Sequence, residues 1–119
     1  MATLSKRRTE RVFCNLTVRW MRRGVATPAV AADVNLHGLF IRTGLEAQPG
    51  ELLQLVIDLP DGPMQVCVTA QFVGLSQSGR GIGAEIFAVS DVDRRRWTHH
   101  YRQLLRDALH AAQPLSLAV

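Results

Sequence analysis

Cysteine, aromatic side chains and long apolar runs are all scarce in this chain of 119 residues. Its two cysteines, Cys14 and Cys67, are too few and too widely separated for a disulfide framework or a zinc site, both of which need closely spaced pairs. They read as buried, reduced thiols of a cytosolic protein. No apolar stretch reaches the roughly 18 to 20 residues that a membrane span requires. The opening Met-Ala-Thr-Leu-Ser-Lys-Arg-Arg turns basic with no apolar segment behind it, which argues against a secretory signal. A cytoplasmic protein without membrane insertion is therefore expected. Also missing are a GxxxxGK[ST] phosphate loop, a nucleophile elbow and a cysteine with a plausible catalytic histidine. His99 and His100 are adjacent on one helix and so face different ways, and neither His37 nor His110 is spaced to join them around a metal. An enzyme and a metal site are both unexpected.

What the chain does contain is the composition of a folded domain, with 47% hydrophobic and 20% charged residues in a length suited to one core. Its net charge of +4 is unevenly distributed. Residues 1–23 carry seven Lys/Arg and one acid, residues 24–93 two Arg and eight acids, and residues 94–119 five Arg and one acid. Two basic ends around an acidic middle point to an anionic partner at one or both ends more than to a uniformly basic nucleic-acid binder.

Apolar residues alternate from Val12 to Trp20, with Phe13 as the misfit, and the period of two predicts a half-buried strand. Arg22-Arg23-Gly24 predicts a turn, Ala29 to Val34 a return strand, and Leu39-Phe40-Ile41 a third short strand. Leu52 to Leu59 forms an apolar run closed by Pro60-Asp61-Gly62-Pro63. Met64 to Leu75 alternates again, placing Met64, Val66, Val68, Ala70 and Phe72 on one face. Gly81 to Val89 completes the set, with Gly81 and Gly83 suggesting a bulge or the close approach of a backbone or ligand. Six short strands with turns between them indicate a small antiparallel barrel or sandwich. At Ser90, a capping residue, the period changes, and Trp97, Tyr101, Leu104, Leu105, Ala108, Leu109 and Ala112 fall on one face of a helix, expected to lie on the strands. Arg94, Arg95, Arg102 and Arg106 form its solvated face.

Two segments stand out against this frame. Arg7-Arg8-Thr9-Glu10-Arg11 precedes the first strand, and Asp33-Val34-Asn35-Leu36-His37-Gly38 lies between the second and third. Together they resemble the PilZ domain family, whose marks are an RxxxR arginine pair, matched by Arg7 and Arg11, and a [D/N]xSxxG turn, matched by Asp33 and Gly38. Asn35 departs from the pattern, standing where the family has Ser. Gly38-Leu39-Phe40-Ile41, Gly50-Glu51-Leu52, Ala70-Gln71-Phe72-Val73 and Gly81-Ile82-Gly83-Ala84-Glu85-Ile86-Phe87 follow the family's barrel landmarks in order, so the resemblance covers about residues 6–110.

The resemblance implies a mainly β protein, a six-stranded antiparallel β-barrel of the PilZ-like split type with a C-terminal α-helix. As one domain over 1–119, it divides into a basic arm (1–11), the barrel (12–89), the helix (90–112) and a tail (113–119). It also implies a non-enzymatic receptor for cyclic di-GMP, needing no cofactor and acting on a partner protein in motility, surface polysaccharide or biofilm control. The residues it singles out are Arg7, Arg8, Arg11, Asp33, Asn35 and Gly38. Their chemistry suits that ligand. A guanidinium can grip guanine O6 and N7, pair with phosphate or stack on a base, while the Asp33 carboxylate and the Asn35 side-chain oxygen are acceptors for guanine N1–H and N2–H. Gly38 would allow a sharp turn or a close approach to the ligand. The expected mechanism has the arm mobile when empty and folded over the ligand when bound.

Plainer readings stand beside these. The arginines also suit a solvated basic arm, with Glu10 as a local ion-pair partner for Arg7 or Arg11, and Asp33 and Asn35 suit a turn that bonds its own backbone. Asn35 leaves open a degenerate relative that serves only as a protein-interaction module and binds no cyclic di-GMP. Nucleic acid is disfavoured because the strands offer no exposed aromatic platforms. Pairing of the chain with a second copy of itself is left open.

Overall fold

The alternating apolar residues close on themselves. The computed structural model describes residues 10–112. Six antiparallel strands come first: β1 (Val12–Arg22), β2 (Val25–Asn35), β3 (Gly38–Arg42), β4 (Leu52–Leu59), β5 (Gly62–Ser76) and β6 (Gly79–Ala88). One helix, α1 (Asp91–Ala112), follows them. Around the barrel the order is β1-β2-β3-β6-β5-β4, and β4 pairs back onto β1 to shut it. That closing seam runs over Val18–Met21 and Gln54–Ile57, and closure is one way a β fold protects its edges from association. Inside lie Val18, Trp20, Val34, Ile41, Leu53, Leu55, Ile57, Met64, Val68 and Ile82, all withdrawn from solvent. Burial of a Val, Leu, Ile or Met side chain contributes about 1.5–3 kcal/mol, so this lining is the main stabilising term.

The turns follow from local chemistry. Arg23 and Gly24 join β1 to β2 with φ of 51° and 78°, the two positive values that a tight hairpin of matching twist requires. Gly38 and Gly81 are needed for another reason. A Cβ on Gly38 would collide with the Ala84 carbonyl oxygen of β6, and one on Gly81 with the Ile41 carbonyl oxygen of β3. The close approach expected at Gly38 is thus to a neighbouring strand.

Four register shifts interrupt the strand pairing, and two of them, each a one-residue bulge, decide which side chains face outward. Relative to β3, β2 carries one extra residue, Ala32, between the Ala31↔Ile41 and Asp33↔Phe40 pairs. Relative to β6, β5 carries one extra residue, Gln71, between Ala70↔Ala84 and Phe72↔Gly83. An added residue reverses which face the following side chain takes. Asp33 is thereby placed on the outer face of the barrel although Ala31 points in. Phe72, expected on the core face with Ala70, also turns outward and is 46% exposed.

Ser90 caps α1, its hydroxyl accepting from the Asp93 amide at 3.1 Å and its carbonyl from the Arg94 amide at 2.8 Å. Trp97 and Tyr101 are buried against the barrel, and Leu104 and Leu105 are half-buried. The apolar face expected to lie on the strands stops there. Ala108 is exposed and Leu109 is 59% exposed, so the last turns of the 22-residue helix carry their apolar side chains in solvent. Arg94, Arg95, Arg102 and Arg106 are exposed. Both cysteines are free thiols, and both are half-buried where full burial was expected, since each sits on a strand at the barrel surface. Among the described residues no helix is long and apolar enough to cross a membrane.

Candidate functional site

Strand register builds the site. Phe13 of β1 lies opposite Asp33 of β2, Asp33 opposite Phe40 of β3, Phe40 opposite Gly83 of β6, and Gly83 opposite Phe72 of β5. Side chains paired across strands share a face, so these five residues form one row over the outside of the barrel. The next row holds Asn35, Gly38 and Glu85 in the same way. The two bulges flank the first row and are what brings Asp33 and Phe72 into it.

A cavity of about 720 Å³ opens over these rows, with Arg11, Asp33, Asn35 and His37 toward β1 and β2, and Phe72 and Glu85 across β6 and β5. Small-molecule sites span about 300–1,000 Å³. Gly83 keeps its floor clear, since a Cβ there would stand 3.6 Å from the Phe72 Cβ and 3.8 Å from a Phe40 ring carbon.

Asp33 is the one buried charged residue among those described, at 3% exposure. Its carboxylate accepts three hydrogen bonds: from Arg11 Nε to Oδ1 at 3.3 Å, from Arg11 Nη2 to Oδ2 at 3.0 Å, and from the Ser78 hydroxyl to Oδ2 at 2.6 Å. A buried carboxylate needs such donors. The Arg11 side chain remains 52% exposed, so its guanidinium covers the acid while presenting a face to the cavity. Arg11 pairs with Asp33 of β2 and not with its neighbour Glu10. Burial, with the Asp33 carboxylate close by, pushes the thiol of Cys14 up to about 11, and that thiol donates to the Ala31 carbonyl at 3.4 Å.

Asn35 closes the turn that carries it. Its Oδ1 accepts from the His37 amide at 2.8 Å, and the His37 carbonyl accepts from Ile86 of β6 at 2.8 Å. The expected use of the Asn35 oxygen as a ligand acceptor therefore competes with its own turn, and the Nδ2 donor is the freer half of the amide. Gly38 lies beside it against β6. The arginines Arg7 and Arg8 lie outside the described residues. Of the six candidates, Arg11, Asp33, Asn35 and Gly38 are brought together at one cavity.

The helix grips both halves of this site from below. Trp97 Nε1–H donates to the carbonyls of Asn35 and Leu36, at 3.2 and 3.1 Å, and the Tyr101 hydroxyl donates to the carbonyl of Glu10 at 2.6 Å. Burial raises the Tyr101 hydroxyl above its ordinary value. Three residues escaped the sequence reading: Ser78, Phe72 in its outward role, and Glu85. Nothing local marks the first, whose partner lies 45 residues away. The second depends on a bulge, and the third was visible only as the partner of Gly38 in a register not yet known.

The comparisons with known proteins agree with this architecture. The family model of the PilZ domain matches residues 5–103, and the chain belongs to the PilZ domain family. Among solved structures, it resembles the Bacillus subtilis inhibitor of motility MotI/DgrA with a TM-score of 0.70 and 18% identity, over 90% of this chain and 53% of that one. It also resembles the PilZ domain of Escherichia coli YcgR with c-di-GMP, with a TM-score of 0.67 and 15% identity over 90% and 97% of the two chains. A YcgR structure in complex with c-di-GMP gives a TM-score of 0.73 and 16% identity over 90% and 49%. The chain thus spans about half the length of MotI/DgrA and of that YcgR chain. No curated protein matches it.

Proposed function

We propose that this chain is a non-enzymatic receptor for cyclic di-GMP that reshapes on binding and acts on a partner protein, in motility, surface polysaccharide or biofilm control. The observation that carries the reading is the exposed Arg11 guanidinium seated on the buried Asp33 carboxylate at the rim of the cavity. Arg11, with Arg7 and Arg8 of the arm, supplies planar donors for guanine O6 and N7 and for the two phosphates. Asp33 supplies the acceptor for guanine N1–H and N2–H, and the Asn35 Nδ2 donates where the family has a Ser hydroxyl. The exposed Phe72 ring offers a base a stacking surface, and Glu85, across β3 from Asn35, offers a second acceptor. The structural relatives support the ligand class, since two of them are YcgR structures with c-di-GMP, and MotI is named as an inhibitor of motility.

In this mechanism the ligand draws Arg11 partly off Asp33 and gathers the arm over itself. Tyr101 holds Glu10 and Trp97 holds the Asn35 turn, so rearrangement at the site reaches α1, the element offered to a partner. Isothermal titration with cyclic di-GMP tests the reading, run beside Arg7→Ala and Arg11→Ala with folding checked by circular dichroism. Micromolar or tighter binding by the wild type, lost in both variants, is the expected result. A folded wild type that gives no heat at high ligand concentration would favour the second reading, a protein-interaction module without this ligand. The observation on that side is that Asp33 and the Asn35 oxygen already have internal partners.

A further inference from the structure

Ser78 sits in the hairpin between β5 and β6, far in sequence from both motifs, and its hydroxyl makes the shortest contact to Asp33, 2.6 Å to Oδ2. It is held ready for that contact. The Ser78 amide donates to the Ser76 hydroxyl oxygen at 3.0 Å, and the Ser76 hydroxyl donates to the Gly79 carbonyl at 3.3 Å. The hairpin is also packed down on β3, where a Cβ on Gly79, at φ 104°, would come within 3.3 Å of the Arg42 side chain.

We infer that Ser78 is a positioning residue for guanine recognition: it anchors Asp33 Oδ2 so that Oδ1 faces the cavity as an acceptor. The inference rests on the receptor reading above. When Arg11 shifts to the ligand, Asp33 would lose two of its three donors, and a carboxylate at 3% exposure is costly to leave unpaired. Ser78 is the donor that remains. With Oδ2 tied to it, the carboxylate stays paired and fixed in rotation. Oδ1, whose bond to Arg11 Nε is the longest of the three at 3.3 Å, is the atom free to take guanine N1–H and N2–H. Adenine presents an acceptor at the N1 position and no N2 amine, so the fixed carboxylate repels it. Ser78 thereby acts on base preference as well as on affinity.

The test compares cyclic di-GMP with cyclic di-AMP by isothermal titration on the wild type, Ser78→Ala, Ser78→Thr and Ser78→Val. Thr keeps the hydroxyl, and Val has nearly the same shape without it, so this pair isolates the hydroxyl even where Ala disturbs the hairpin. The expected result is a loss of about tenfold in cyclic di-GMP affinity for Ala and Val, a narrowed guanine-over-adenine preference in both, and recovery of both properties in Thr. A wild type that binds cyclic di-GMP, with Val matching Thr in affinity and preference, would overturn the role of Ser78 and leave the receptor reading intact. A wild type that binds neither dinucleotide would overturn the receptor reading itself, and this inference with it.

Discussion

Arg11 and Arg96 both hold carboxylates, and the difference between them separates the residue proposed to meet a ligand from one that fastens the fold. Arg96, on α1, uses all five of its N–H donors: Nε and Nη2 on the two oxygens of Asp61, Nη1 on Asp93, and the remaining two on the carbonyls of Gly62 and Pro63. Its partner Asp61 is 65% exposed on the β4–β5 hairpin and lines no described cavity. Arg11 spends two donors on a carboxylate that is almost wholly buried, keeps half its surface in solvent and borders a cavity. A saturated guanidinium on an exposed acid fastens two elements together. An unsaturated one over a buried acid has capacity left for a ligand. The number of arginines in a segment shows neither condition.

Trp97 joins the two regions, since it follows Arg96 on the helix and its indole N–H reaches the carbonyls of the Asn35 turn. Removing it should have the largest effect. Trp97→Ala should lower stability by about 3–5 kcal/mol, through the cavity left and the two carbonyls orphaned, as read by denaturant melts. The two arginines should then part company. Arg11→Gln should weaken cyclic di-GMP binding by about 1–3 kcal/mol in titration. Arg96→Gln should leave that affinity unchanged and lower the thermal midpoint by several degrees. Equal losses of affinity in both variants would erase the distinction.

The landmarks that could be read in advance were those with local causes. The strands announced themselves by alternation at Val12 to Trp20 and Met64 to Ala70, the helix by Ser90 and the change of period, and the first hairpin by Arg23-Gly24. Arg11, Asp33 and Asn35 were legible because two short motifs carry them. Phe72 was misplaced because a one-residue bulge at Gln71 leaves no mark in composition yet reverses every face beyond it. Arg96 and Ser78 were invisible because their partners, 35 and 45 residues away, are set by barrel closure. The exposed rings of Phe13, Phe72 and Phe87 also remove the argument that the strands lack aromatic platforms.

Acid should expose the structural region first. Burial holds His100 below its ordinary value of 6.5, with Asp61 opposing and His99 adding to the shift. Its Nε2 is buried without a partner. The unfolded chain therefore takes up a proton that the folded chain resists, so stability should be level above about pH 7 and fall as pH drops below about 6.5. Hydrogen bonding to Arg96 lowers Asp61 from its ordinary 3.8, so its contribution is present above about pH 4 and is lost as pH falls through the lower folded value. His100→Gln should flatten the first decline and leave the second in place, as followed by thermal melts across pH. The smallest effect is expected far from either arginine. Arg23 holds a positive φ of 51° that Asn tolerates better, so Arg23→Asn should raise stability by about 0.5 kcal/mol in the same melts.

The most direct measurement follows the arginine Nε–H resonances by NMR while cyclic di-GMP is added. The Nε–H of Arg11, donated to Asp33 in the empty site, should shift progressively and saturate with the ligand, while that of Arg96, locked on Asp61, should stay where it is. An Arg11 signal unmoved at saturating ligand, or an Arg96 signal that moves in its place, would contradict the assignment of Arg11 and Asp33 as the heart of the binding site.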